Sequence, residues 1–343
     1  MKAQQQRIDW ADYAKGLTII LVVYGHAVVG VAKDVAIDPS VYAYAMKPFS
    51  QFRMPVFFFV AGLFAAFSIK RDGPAFVDRT LLPLLYVFVL WNLMQWGARV
   101  VFAPWANTPI DPWRILIFPL RPINVTWFIW ALLAYYLVAH ATRRWPPGPV
   151  IAAAAILAAT PVPESWFYVY HQAPKFLVYF MLGVGCSGWV LAMETAHRER
   201  QLATATAAYA ASALLAIHLG IDEVPIVDFA NSLLGIAWII ALCMVLADRG
   251  WCSWLRWVGG WSLPIFVTHT IATAGVREVL LRLGATDDPV VLTAAGTLAG
   301  VALPIAVAWG LQRLGFPWLF ERPGWATLRR RTGLDGSRAV GAS

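Results

Sequence analysis

Charge is what this chain has least of. Only 13% of its 343 residues are Asp, Glu, Lys or Arg, while 59% are hydrophobic and the mean hydropathy is +0.62. Soluble domains carry about 25% charged residues, and none can bury this much apolar surface, so a soluble globular fold is excluded. Cysteine is scarce too. Cys186, Cys243 and Cys252 lack metal-like spacing, which argues against a zinc site and against a disulfide framework. The chain has no internal repeat, no low-complexity run and no Gly-rich phosphate loop. Residues 1–15 are polar and charged, and no small-residue cleavage site follows the first apolar run, so no cleavable signal peptide is expected. The net charge of +8 fits a nucleic-acid partner in sign, but its distribution assigns it to membrane topology.

What the chain does have is membrane-length apolar sequence. Hydrophobic segments fall at 16–32, 54–69, 80–98, 125–141, 149–161, 174–193, 203–219, 230–247, 262–281 and 290–312. The expected fold is therefore an all-α polytopic membrane protein of about ten transmembrane helices. The fifth segment is short, and Arg277 and Glu278 interrupt the ninth. An even number of crossings puts both termini on one side. With that side inside, 18 of the 27 Lys and Arg residues are cytoplasmic and 9 are external, the bias of the positive-inside rule. Both termini are thus expected in the cytoplasm, with the protein multi-pass in a bacterial inner membrane. One integral-membrane domain spans 1–343, its core at about 7–312. In the short basic cytoplasmic tail 313–343, Arg329-Arg330-Arg331 reads as a solvated, lipid-facing stop.

Four polar clusters interrupt this scaffold. The first runs from Arg7 through Asp9, Asp12 and Lys15 to His26. Asp12 and Lys15 are three apart and share a helix face. His26 lies ten residues past Gly16, about 15 Å along the helix and near the middle of a hydrocarbon core about 30 Å thick. An ionisable group at that depth is a functional candidate by default. The bland alternatives are a neutral imidazole bonded to a neighbouring helix and a snorkelling anchor at Lys15. The second cluster is Gln51-Phe52-Arg53-Met54-Pro55 through Gly62. It is expected to place Arg53 just before the second helix, Pro55 in its first turn and Gly62 at a close helix approach. The third is Lys70-Arg71-Asp72-Gly73-Pro74 through Arg79-Thr80-Leu81-Leu82-Pro83, with Arg79 entering the third helix. The fourth is Gly259-Gly260-Trp261-Ser262-Leu263-Pro264 through Thr268-His269, which adds a second intramembrane imidazole.

These strings together resemble the membrane-bound acyltransferase 3 family. Asp12-x-x-Lys15-Gly16 leading to Gly25-His26 is similar to the family's basic residue, ten residues, then histidine. Phe52-Arg53-Met54-Pro55 through Gly62 resembles its second helix, and Arg79 through Pro83 its basic entrance to the third. Trp127-Phe128 through Leu132 and Ser262-Leu263-Pro264 through His269 resemble two later segments. The likeness spans about 7–312, and the nearest branch is that of fucose 4-O-acetylase-like and glucan-modifying sugar O-acyltransferases. Lys15 stands where many members have arginine, Arg53 where many have histidine, and Phe76 where many have a second arginine before Arg79.

The resemblance implies transfer of an acyl group, most often acetyl, from coenzyme A to a carbohydrate hydroxyl. The acceptor would belong to a cell-surface polysaccharide, a glucan or a glycoside. Acetyl-CoA or another acyl-CoA is then a co-substrate, with no permanently bound cofactor, no metal and no nucleic acid. His26 would be the general base. Lys15, Arg79 and Arg71 would hold the donor's phosphates. Arg53, Asn124, Trp127, His269 and Asp12 fall to the substrate side, with Asn124, Trp127 or His269 donating to the oxyanion. Asp12 is about 21 Å from His26 along the helix, so any carboxylate partner must come from another helix. Direct attack is preferred over an acyl-histidine. The competing class is transport: a flippase of lipid-linked sugars, or a proton-coupled carrier with His26 as relay. A non-catalytic membrane scaffold is a third reading, disfavoured by the intramembrane histidines.

Overall fold

The computed structural model describes residues 2–105, 110–163, 165–193 and 198–327. The helices among them are α1 (Lys2–Val31), α2 (Pro39–Ser68), α3 (Gly73–Phe76), α4 (Leu82–Val101), α5 (Trp127–Thr142) and α6 (Pro147–Ala159). They continue with α7 (Tyr168–Ala192), α8 (Arg198–Leu219), α9 (Pro225–Arg249), α10 (Ser253–Gly260), α11 (Ser262–Arg282) and α12 (Pro289–Arg313). No strand occurs among the described residues.

Among the described residues, eight stretches are long and apolar enough to cross a membrane. Two of the ten expected crossings fall short of that standard. α11 is 21 residues long but carries Arg277, Glu278 and Arg282, and α6 has only 13 residues, about 20 Å. Yet α6 must carry the chain across. The first residues of α5 and α7 meet, with Trp127 and Tyr168 ring centroids 5.9 Å apart, so α5 and α7 run parallel. The start of α6, in turn, packs near the end of α7, where Pro147 and Ile151 face Gly185. α6 therefore returns the chain to the side on which α5 began.

The helices alternate between two ends. At the end holding the start of α1, Asp9 pairs with Arg256 at 2.8 Å and His140 Nδ1 lies 3.0 Å from the Ile69 carbonyl. At the opposite end, Arg277 pairs with Asp34 at 2.6 Å and Lys47 with Asp222 at 2.7 Å.

α2 begins fifteen residues earlier than the sequence suggests, at Pro39, where Asp38 accepts from the Ser40 and Val41 amides. Arg53 and Pro55 therefore lie inside this helix and not at its start. Proline has no N–H to give the carbonyl four residues back, and Ser232 Oγ donates to that freed Gln51 carbonyl at 2.7 Å. Gly62 meets Gly183 of α7 as expected. A Cβ on either would strike the other helix's carbonyl oxygens, at Phe180 and Phe59 respectively.

Two other features differ from expectation. α10 was not anticipated. It is an eight-residue amphipathic helix that buries Leu255 and Val258 and exposes Trp254 and Trp257. Gly259 and Gly16 let it lie directly on α1. The tail, moreover, is not solvated from residue 313 onward. Residues 317–326 dock along α4: Trp91 Nε1 donates to the Leu319 carbonyl (2.7 Å), Tyr86 to that of Trp318 (2.8 Å), and Phe320 is buried. Arg329, Arg330 and Arg331 lie outside the described residues.

Candidate active site

α1 and α11 run parallel, and their histidines meet. The ring centroids of His26 and His269 are 5.0 Å apart, inclined at 57°. The neighbour of His26 is thus a second imidazole from another helix. Arg53 of α2 is an electrostatic neighbour of both rings. Gly25 explains how it gets there: a Cβ at that position would overlap the guanidinium, so the missing side chain seats Arg53 against the backbone beside His26. Nη1 of Arg53 is buried without a hydrogen-bond partner among the described residues. Gly30, about one turn on, seats Arg277 in the same way.

His269 is 0% exposed. Its Nδ1 lies 3.0 Å from the Ile265 carbonyl and 2.7 Å from that of Phe266. Carbonyls only accept, so Nδ1 carries the hydrogen and Nε2 keeps a lone pair with no partner among the described residues. A neutral ring so arranged has no hydrogen left for an oxyanion.

His26, in contrast, is exposed although it sits at membrane depth, because two cavities open on it. The larger, about 540 Å³, lies between the ends of α1, α4 and α11 and is lined by Lys33, Arg99, Thr270 and Arg277 among largely apolar surface. The smaller, about 310 Å³, is walled by Arg114, Arg121, Trp127, Phe167 and Tyr168. Asn124, like His26, faces both.

Asn124 is held by a polar layer inside the apolar bundle. Gln95 Nε2 donates to the Val267 carbonyl at 2.8 Å, which fixes the orientation of that amide. Gln95 Oε1 then accepts from Asn124 Nδ2 at 3.2 Å, and Thr270 Oγ1 accepts from the same nitrogen at 2.8 Å. Both Asn124 N–H groups are therefore committed, and Oδ1 is the atom left for a ligand. Asn92 Oδ1 accepts from the Ile123 amide and from Thr126 Oγ1, each at 2.9 Å, and so fixes the turn on either side of Asn124. Within it Asn124 is left-handed, at φ 53°, a conformation asparagine tolerates better than most residues. Of the three oxyanion candidates, Trp127 alone keeps an uncommitted N–H among the described residues.

Lys15, Asp12, Arg71 and Arg79 lie at the other end. Lys15 Nζ pairs with Asp12 at 2.9 Å and sits over the Phe64 ring at 5.2 Å. Arg71 Nη1 donates to Thr80 at 2.9 Å. Arg79 is exposed on a π-helical turn, Val77–Leu81. That turn precedes Pro83, which cannot supply the Arg79 carbonyl with an N–H. Phe76 stacks on His140 with centroids 4.0 Å apart. None of these groups lines either cavity at His26. The reading from sequence passed over Gln95, Thr270, Arg99, Arg114 and Arg121. The one available signal was Asn92-x-x-Gln95, two amides on one face of a membrane helix.

An all-α, multi-pass bundle with an imidazole facing two cavities defines the class: a polytopic membrane protein with a candidate site inside its helical bundle. The chain belongs to the acyltransferase 3 family, whose model, described as an acyltransferase domain, matches residues 8–312. The protein is a membrane acyltransferase. No curated protein and no solved structure matches it.

Proposed function

We propose that this enzyme transfers an acyl group, acetyl in the first instance, from acyl-coenzyme A to a hydroxyl of a carbohydrate. The observation that carries the reading is that His26 faces both cavities, so one imidazole can serve two substrates. The smaller cavity, with its aromatic wall of Trp127, Phe167 and Tyr168, suits a sugar ring. The larger, mostly apolar one suits the acyl thioester. Lys15, Arg79 and Arg71 bind the donor's phosphates at the opposite end. Lys15 is eleven residues from His26, about 16 Å along α1, and the donor's flexible pantetheine arm bridges that gap.

In the reaction, His26 takes the proton of the sugar hydroxyl as its oxygen attacks the thioester carbon. The tetrahedral oxyanion is met by the Arg53 guanidinium and the Trp127 indole N–H. The carbon–sulfur bond then breaks, and the imidazolium returns the proton to the departing thiolate. His269 and Asn124 position these groups, His269 against His26 and Asn124 through its Oδ1 toward the acceptor. The N-terminus and the docked C-terminal segment face the cytoplasm of a bacterial inner membrane, the end that carries 18 of the 27 cations.

The test is thiol release from acetyl-coenzyme A by protein in nanodiscs supplied with pooled cell-envelope glycans. His26→Ala is expected to lower it by roughly 10²–10⁴-fold at unchanged melting behaviour. A variant that turns over like the wild type removes His26 from the chemistry.

A further inference from the structure

Six of the nine cations at the end where α1 finishes line the two cavities around His26: Lys33, Arg99, Arg277 and Arg282 the larger, Arg114 and Arg121 the smaller. Membrane proteins place most cations at the other end, so this concentration needs a reason. Arg277 has one in Asp34, and Arg282 in Glu278 at 2.6 Å. Arg114 and Arg121 have no ion pair among the described residues, and Arg114 Nε is buried without a hydrogen-bond partner.

The segment carrying them is built, not loose. Trp96 Nε1 donates to the Pro112 carbonyl at 2.8 Å, and Trp130 Nε1 to that of Pro119 at 2.9 Å. The Arg121 amide closes on the Ile117 carbonyl at 2.8 Å. Two tryptophans from two helices thus hold both arginines over the cavity. The Arg121 guanidinium lies 4.9 Å from the centre of the Phe167 ring, a position that leaves its planar fork ready for an oxyanion. Burial, together with the neighbouring Arg121 and Arg99 charges, pushes Arg114 below its ordinary range, while Asp111 opposes this only weakly. Like charges crowded together in a partly desolvated cavity repel one another until an anion joins them.

We infer that the smaller cavity selects an acceptor bearing an anionic group, a carboxylate or phosphate on or beside the sugar, held by Arg114 and Arg121 while the ring rests against Trp127, Phe167 and Tyr168. The inference rests on the acyl-transfer reading and extends it to the substrate. At about 310 Å³ the cavity is at the low end of small-molecule sites, roughly 300–1,000 Å³. That fits one sugar unit with its charged group and leaves no room for the nucleotide of a coenzyme A.

The experiment is calorimetry on the intact protein in nanodiscs with four probes: glucose, glucuronate, glucose 6-phosphate and coenzyme A. Wild type should bind the two anionic sugars at least about tenfold more tightly than glucose, a difference of about 1.4 kcal/mol. Arg114→Gln/Arg121→Gln should remove that preference and leave coenzyme A binding unchanged. The wild-type comparison needs no variant, and Arg121→Lys, which keeps the charge and loses the fork, should retain part of the preference if the double variant fails to fold. Equal binding of neutral and anionic sugars, or no binding of any sugar at millimolar concentration, overturns the inference. So does loss of coenzyme A binding alone in the double variant, which would give the arginines to the donor. Thiol release from acetyl-coenzyme A with pooled glycans is followed in the same samples. Turnover without anion preference rejects this inference and keeps the acyltransferase chemistry, whereas its absence from wild type rejects the chemistry.

Discussion

At the scale of single residues, the site depends on side chains that are missing as much as on those present. Gly25 and Gly259 are both crowded, but by different neighbours. A side chain at Gly25 meets the end of the Arg53 side chain, which can swing away, whereas one at Gly259 meets the Asp12 carbonyl, which cannot. Gly25→Val should therefore displace the guanidinium from His26, lowering the transfer rate by roughly a hundredfold with a small change in melting temperature. Gly259→Val should do the reverse: it separates α10 from α1 and destabilises by about 1–3 kcal/mol or more, with activity per folded molecule largely kept. Rates normalised to folded protein, taken with thermal scans, check the pair. Lost activity without lost stability in Gly259→Val would contradict this assignment. His26 was legible in the sequence because an imidazole at membrane depth stands out chemically. Arg114 and Arg121 were not, because an arginine in a connecting segment looks like any interfacial cation until its neighbours are known.

At the scale of elements, proline and the polar side chains around it decide how helices run. Reading Pro55 as a first-turn residue put the start of α2 too late. The helix passes through because Ser232, far away in sequence, takes up the carbonyl that the proline releases. That compensation is tertiary, and no local pattern announces it. The docked segment 317–326 is similar. Its anchor is the ion pair of Arg322 with Asp78 at 2.7 Å, with side-chain exposures of 8% and 4%. Breaking a buried pair from one side is strongly destabilising, so Arg322→Met should cost about 3–5 kcal/mol. Adding Asp78→Leu to it should recover part of the loss. Melting curves of the single and double variants in one detergent decide this. A double variant worse than the single would show that the pair is not the anchor.

At the scale of the whole molecule, the alternation of helices puts Cys252 at the end of the N-terminus and the turn holding Asp287 at the other. Cys252 is exposed and Cys243 is fully buried. A membrane-impermeant maleimide should therefore label Cys252 only in inside-out vesicles. A cysteine placed by Asp287→Cys should be labelled in right-side-out cells, and Cys243 in neither. Labelling of Cys252 from outside would invert the orientation and place both His26 cavities on the cytoplasmic side.

The sequence alone determined the class of solvent, the all-helical architecture and the family. Each follows from properties that add along the chain: apolar length, backbone groups that must be satisfied without water, and short motifs in a fixed order. It also singled out His26 as a candidate, since an ionisable group at membrane depth is costly wherever the fold puts it. Only the tertiary structure decided which groups meet that imidazole. His269, Arg53, and Asn124 with the Arg114–Arg121 pair come from three separate stretches of chain, and they converge because glycines at the α1 surface admit guanidiniums and an amide layer on α4 fixes a left-handed turn. A cavity is the space that packed helices fail to fill, and that space exists only once all of them are in place.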